Sequence, residues 1–257
     1  MRPYILTSPD LVDQNIVSGG VRVMWGLYGW LLAKGQVAYM NRWPDSNVTA
    51  IYPEIQTGNP ANTDHVVRYI LNTPGIMGAI YQDGHAVPGP TQFAPTDKIY
   101  VFSRVYDTFG VDDNHILFLP IINQNVFKYK NKGKRRKTCY LIGKGKNRLI
   151  HPKDSIELNR KMAMDQQGLA DLLNECEYLY GYDQLSAMYE CARLCGCKVK
   201  YFGGMEYEDL EKYEPGLDGI GFNNDDVGFD PYHFSDHYHS LIETFEKRLE
   251  LFIEDTQ

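Results

Sequence analysis

Apolar residues in this chain fall into short runs and stretches of helical spacing, and the clearest case is Glu177 to Phe202, EYLYGYDQLSAMYECARLCGCKVKYF. EYLY reads as a strand, GYDQ as a turn, LSAMYECARLCG as a helix and CKVKYF as a second strand, together one right-handed β-α-β unit. Asp183 or Ser186 caps the helix and Gly196 closes it. On a helical wheel Ala187, Met188, Cys191, Leu194 and Cys195 form the apolar stripe, with Ser186, Glu190 and Arg193 as a polar strip beside it. The start of the chain repeats this grammar. Arg2 to Thr7 predicts a strand, a polar loop runs to Ser18, Gly19 and Gly20, a helix spans Val21 to Lys34 with Gly35 as its cap, and Gln36 to Met40 returns as strand.

Further apolar runs predict strands at Val48–Tyr52, Val66–Leu71, Lys98–Ser103, His115–Pro120 and Thr138–Ile142, and GLADLLNEC predicts a helix with Leu169, Leu172 and Leu173 at core spacing. TGNPANTD reads as loop, residues 72–97 as a Gly- and Pro-rich surface excursion, and 203–232 as mostly loop. A final helix from Ser235 to Glu254 carries Leu241, Ile242, Phe245, Leu249 and Phe252 on one face. Strand-helix alternation of this kind implies an α/β chain of two Rossmann-like domains, each with a glycine-bearing turn.

Candidate chemistry gathers where strands deliver loops. Gly19 and Gly20 let backbone amides approach an anion or sugar, and a tight turn is the alternative reading. Gly143 to Arg148, GKGKNR, brings Lys144, Lys146 and Arg148 to a sheet edge, suited to a diphosphate or to a plain basic turn; it is not a P-loop. Asp183, Leu185 and Ser186 sit at a helix N-terminus that can hold a phosphate, and Glu190 can accept from sugar hydroxyls. Asp83 and His85 place an acid beside an imidazole, either as a general base or as solvated loop residues. His233, His237 and His239 read as solvated.

A chain of 257 residues, 43% of them hydrophobic, supports an ordinary core. No stretch reads as a signal peptide or membrane span, so the expected location is cytoplasmic. Five cysteines, odd in number and lying on predicted elements, read as reduced core thiols; no C-x-x-C pair suggests a metal site. The net charge of -7 argues against nucleic acid as a partner. Within it Lys128 to Lys137, KYKNKGKRRK, is strongly basic. Three readings stand for it: a solvated loop, a peripheral contact with anionic membrane, and a contact for an anionic donor or nucleic acid.

YGYDQLSAMYECARLCGCKV resembles the C-terminal signature of GT-B glycosyltransferases, where a polar turn leads into a helix reading E-A-x-x-x-G-x-P-V before a strand. Gly196 and Val199 match its end, with Lys198 where proline is usual. Glu190 falls one position before the family acid, and Asp183 falls on the second acid of the retaining, glycosyltransferase 4-like members. The SGGV of the first turn and the passage HILFLPIINQNVF resemble that family's glycine loop and domain junction. The resemblance implies two Rossmann-like domains facing a cleft, residues 1–121 for the acceptor and 122–234 for the donor, with a helix over 235–257 crossing back. It further implies a metal-independent transfer of a hexose from a UDP- or GDP-sugar, a co-substrate rather than a cofactor, to a glycan or lipid-linked acceptor, with Glu190 on the ribose and Asp183 near the sugar. Membrane association through the basic run would suit a lipid-linked acceptor. Open beside this is an inactive nucleotide- or glycan-binding module of the same fold, and further off a methyltransferase or epimerase. The absence of G-x-G-x-x-G counts against a dehydrogenase.

Overall fold

The computed structural model describes residues 2–12, 18–43, 47–76, 80–82, 85–87, 91, 93–130, 133–145 and 150–257, with the backbone alone at 80–82 and 85–87. The chain divides into two compact units, Met1–Leu119 with Ile242–Gln257, and Pro120–Leu241.

In the first unit a parallel sheet is built from Tyr4–Leu6 (β1), Ala38–Met40 (β2), Thr49–Pro53 (β3), His65–Ile70 (β4) and Lys98–Val101, in the spatial order second, first, third, fourth, fifth. Ile80–Gln82 (β5) and His85–Val87 (β6) form a separate antiparallel hairpin, so Lys98–Val101 is β7. His115–Pro120, expected as a strand, is buried and extended at Ile116 to Leu119 but joins the sheet through a single bridge, Val101 to Ile116. The helix Gly19–Ala33 (α1) buries Val21, Val23, Met24, Leu27 and Leu31. Gly35 then takes φ 74°, the left-handed conformation that lets the chain leave a helix. Gly19 and Gly20 lie inside the first helical turn rather than in a loop before it, and no close approach at either position demands a glycine.

Helices cover one face of this sheet. Phe252 packs on Tyr4 and Tyr100, and the Thr49 hydroxyl donates to the Thr256 carbonyl. The other face carries Ile5, Ala50, Tyr52 and Val66, and it is closed by coil segments. Arg68, 1% exposed, pins them: its guanidinium donates to Asp97 and to the carbonyls of Gln56 and Gly58 while lying against the rings of Tyr52 and Phe93.

The second unit repeats the strand order. Lys137–Leu141 (β8), Ile156–Glu157 (β9), Cys176–Gly181 (β10), Lys198–Tyr201 (β11) and Ile220–Phe222 (β12) form a parallel sheet ordered β9-β8-β10-β11-β12. β12, in a stretch expected to be loop, completes its edge. Arg160–Met164 (α2), Gln166–Glu175 (α3), Ala187–Leu194 (α4) and the one-turn Tyr207–Leu210 (α5) connect the strands. On one face Cys139, Leu141, Leu179, Val199 and Tyr201 are buried with Leu169 and Leu173 of α3, where each enclosed leucine contributes about 1.5–3 kcal/mol. All five cysteines are buried and free.

Three residues of the basic run are tied to α3 and α4, while Lys128, Lys134 and Arg136 are exposed. Lys130 pairs with Asp171, Lys137 pairs with Glu175, and Arg135 donates to the carbonyls of Leu173, Cys176 and Cys195, placing its charge at the C-terminal ends of α3 and α4. The last helix, Pro231–Thr256 (α6), runs longer than expected; its first residues belong to the second unit and those from Ile242 to the first. Among the described residues no helix is long and apolar enough to cross a membrane.

Candidate functional site

In a doubly wound sheet ordered 2-1-3-4-5 the chain leaves the first and third strands in opposite directions, and the crevice outside their carboxyl ends is where such sheets take ligands. In the second unit that point lies between β8 and β10. Gly143, at φ 55°, and Lys144 are the centre of a turn closed by the Gly145 amide donating to the Ile142 carbonyl at 2.8 Å. Beyond β10, the Asp183 carboxylate lies against this turn, and the backbone amides of Lys144 and Gln184 favour its charged form. A Cβ on Gly143 would run into that carboxylate, and one on Gly203, beyond β11, would run into the Asp183 carbonyl. Glycine is what allows the three loops to close around this residue.

Asp183 is 8% exposed, and burial raises its carboxyl above the ordinary carboxylate range, against the opposing pull of the Lys144 amide and charge and of the Gln184 amide. Its own carbonyl accepts from the Tyr189 hydroxyl at 2.6 Å. Leu185, half-buried, leads to Ser186, whose hydroxyl accepts from the Met188 amide at 3.3 Å and caps α4. Lys144 is exposed. The structure therefore brings Lys144, Asp183, Leu185 and Ser186 together at the sheet edge.

Glu190 is placed elsewhere. Two members of the polar strip, Glu190 and Arg193, are enclosed: Glu190 is 2% exposed, the Tyr213 hydroxyl donates to Oε1, and the Tyr238 hydroxyl, which also accepts from the Ile122 amide, donates to Oε2 at 3.2 Å. Arg193, fully buried, donates to the carbonyls of Gly216 and Asp218 and lies 4.1 Å over the Phe234 ring; burial pulls its pKa down to about 10. Both side chains dock the segment from Tyr213 to Tyr238 onto α4, a role a helical wheel does not reveal.

Gly19 and Gly20 belong to the first unit and begin α1, while His85 opens β6 of the hairpin. Asp83, Lys146 and Arg148 lie outside the described residues. At the first unit's own switch point, between β1 and β3, the buried hydroxyls of Thr7 and Ser8 have no hydrogen-bond partner among the described residues.

No family model matches this chain, and no curated protein or solved structure is significantly similar to it. Its chemistry is therefore read from its own residues.

Sequence reasoning missed two features. A cleft of about 570 Å³, a volume suited to a small molecule, opens at the ends of β11 and β12 between Tyr201, Phe202, Glu206, Tyr207, Phe222 and Asp225. Among the described residues that line it none is basic, so it suits an uncharged or cationic group. The alternation in IGF was its only signal, too short to stand out from a glycine-rich stretch. The second is His151, stacked on Tyr140 at 3.8 Å with Nδ1 2.8 Å from the Tyr182 hydroxyl; burial lowers its pKa. Among the described residues no three metal-ligating side chains converge.

Proposed function

We propose that this chain is a glycosyltransferase that moves a sugar from a nucleotide diphosphate-sugar to a hydroxyl acceptor, with two Rossmann-like domains in the GT-B manner and the donor at the ends of β8 and β10. The observation that supports this reading above others is the knitting of the Lys144 turn to the Asp183 carboxylate at the switch point. When the bond to the sugar breaks, negative charge grows on the leaving diphosphate; the Lys144 ammonium and the first amides of α4 stand where they would meet it. Asp183 then serves the sugar, accepting from a hydroxyl and opposing the positive charge that develops at the anomeric carbon. The ring-lined cleft beside β11 receives the uncharged nucleoside. Glu190 has no ribose role here, and the base for the acceptor stays with Asp83 or His85. The enclosure of Glu190 favours, as the second reading, a binding module that keeps the fold without turnover.

The test is a thermal-shift screen with UDP, GDP and their sugars. A ligand at a hundred times its Kd stabilises the folded state by about 2.7 kcal/mol. Lys144→Ala should weaken that ligand about tenfold while leaving the unliganded melting temperature unchanged. Stabilisation by none of them would sink the reading; stabilisation without donor hydrolysis or transfer would select the binding module.

A further inference from the structure

The cleft at the carboxyl ends of β11 and β12 joins aromatic rings to acidic side chains. Tyr201 and Phe202 are buried in its wall; Tyr207, 48% exposed, and the half-buried Phe222 are its open rings, with centroids 5.2 Å apart. Glu206, Glu208 and Asp225 line it too, all exposed and with no hydrogen-bond or ion-pair partner among the described residues. The lysines close to them in sequence are taken: Lys198 pairs with Asp226, Lys200 donates to the Asn224 carbonyl and Lys212 pairs with Asp209. The lining runs from Tyr201 to Val227, and every residue of that stretch is described.

Three backbone donors of this lining are already spent. The Met205 amide donates to the Tyr201 hydroxyl, the Asn223 amide to the Tyr201 carbonyl and the Asp225 amide to the Phe222 carbonyl. The Tyr201 hydroxyl in turn donates to the Gln184 carbonyl at 2.8 Å, and Gly203 packs against the Asp183 carbonyl, so the cleft abuts the Asp183 loop. Its charge sets the direction of a bound nucleotide: the carboxylates repel phosphates, which Lys144 attracts, and the base end enters the cleft. Bases differ in the edge they present. Guanine offers two adjacent donors, N1–H and the exocyclic amino group, beside O6, whereas uracil offers one donor between two carbonyl oxygens that a carboxylate would repel. A carboxylate takes both guanine donors at once, the Asn223 side chain, also in the lining, can donate to O6, and the Tyr207 ring can stack on the purine.

We propose that this cleft selects guanine, which makes the sugar donor a guanosine diphosphate sugar. Guanine selection rests on the nucleotide-sugar reading and names its base.

The experiment is isothermal titration of the full chain with GDP, IDP, UDP, CDP and ADP. GDP should bind at least about tenfold more tightly than UDP, CDP or ADP, and about tenfold more tightly than IDP, which lacks only the exocyclic amino group. Glu206→Gln, Glu208→Gln and Asp225→Asn together, three exposed positions, should leave folding intact, bring GDP to within about threefold of IDP and leave UDP within about threefold of its wild-type affinity. Tyr207→Ala should weaken GDP about tenfold, the loss of one stacking ring, and Tyr207→Phe should restore it. The ratio of GDP to IDP affinity in the wild type decides even where a variant fails to fold. Equal affinity for GDP and UDP would overturn guanine selection and leave the nucleotide-sugar reading standing. So would a triple variant that weakens all five nucleotides alike, which would put the carboxylates on the ribose. Tetramethylammonium bound as tightly as GDP would make the cleft a cage for cations and overturn it as well. Binding of none of the five would remove the nucleotide-sugar reading and guanine selection together.

Discussion

The two units share one strand order and differ in how they treat the second face of the sheet. In the first, β3 and β4 are buried almost throughout, coil closes the face the helices leave, and a fully enclosed arginine fixes that coil. In the second, burial alternates along β8 and β11, and one face stays half open. A strand covered on both sides reads as a continuous apolar run, whereas one covered on one side alternates. TAIYP and KVKY are those two patterns. The same topology thus yields a sheet enclosed on both faces in one case and alternate positions left half-exposed along β8 and β11 in the other.

The largest expected effect tests the closed side. Arg68→Ala leaves Asp97 buried without its counter-charge and should cost about 3–5 kcal/mol in chemical denaturation; a loss under about 1 kcal/mol would mean that the coil covers the first sheet without the pin. On the covered side of the second unit, Glu190→Ala strands the hydroxyls of Tyr213 and Tyr238 and should cost about 2–4 kcal/mol, measured the same way, with nucleotide affinity of the folded protein unchanged. A large loss of affinity at preserved stability would return Glu190 to the ligand.

Asp183 gives a smaller effect with a defined pH course. Its carboxyl is raised in the folded chain, so the charged form is disfavoured there and stability falls as pH rises from the ordinary carboxylate range through the raised value. Asp183→Asn should therefore be more stable than the wild type at neutral pH, and the difference should vanish below the ordinary carboxylate range; denaturant midpoints of the two proteins across pH check the sign. Smallest is Lys198→Ala on the open face, which removes an ion pair to a largely exposed Asp226 and should cost less than about 1 kcal/mol in thermal unfolding. A cost equal to that of Arg68→Ala would erase the distinction between the faces.

Local signals made much of this legible. Ser186 and Gly196 bracket α4 as a cap and a φ of 77° require, and the apolar runs locate β1, β3, β4, β8 and β10. What escaped has physical reasons. β9 has two residues and β12 three, too few for a period to show. His115–Pro120 has strand composition yet lacks a ladder beyond one bridge. The partners of Glu190 lie 23 and 48 residues downstream, so nothing in its own helix distinguishes an enclosed carboxylate from one facing a ligand. For the candidate site, the lysine and aspartate were visible as residue types at strand ends, but their meeting required the strand order.

The hydrogen bonds from Arg2 and Tyr4 to Thr256 and Gln257 set a schedule for synthesis. Residues 120–241 form an uninterrupted unit and can fold as they leave the ribosome, whereas the first sheet has one of its helical covers only when residues 242–257 arrive. This predicts the reverse of the usual order, in which the N-terminal domain folds first. A nascent chain halted near residue 241 would hold a complete second unit and a first sheet lacking Phe252 over Tyr4 and Tyr100.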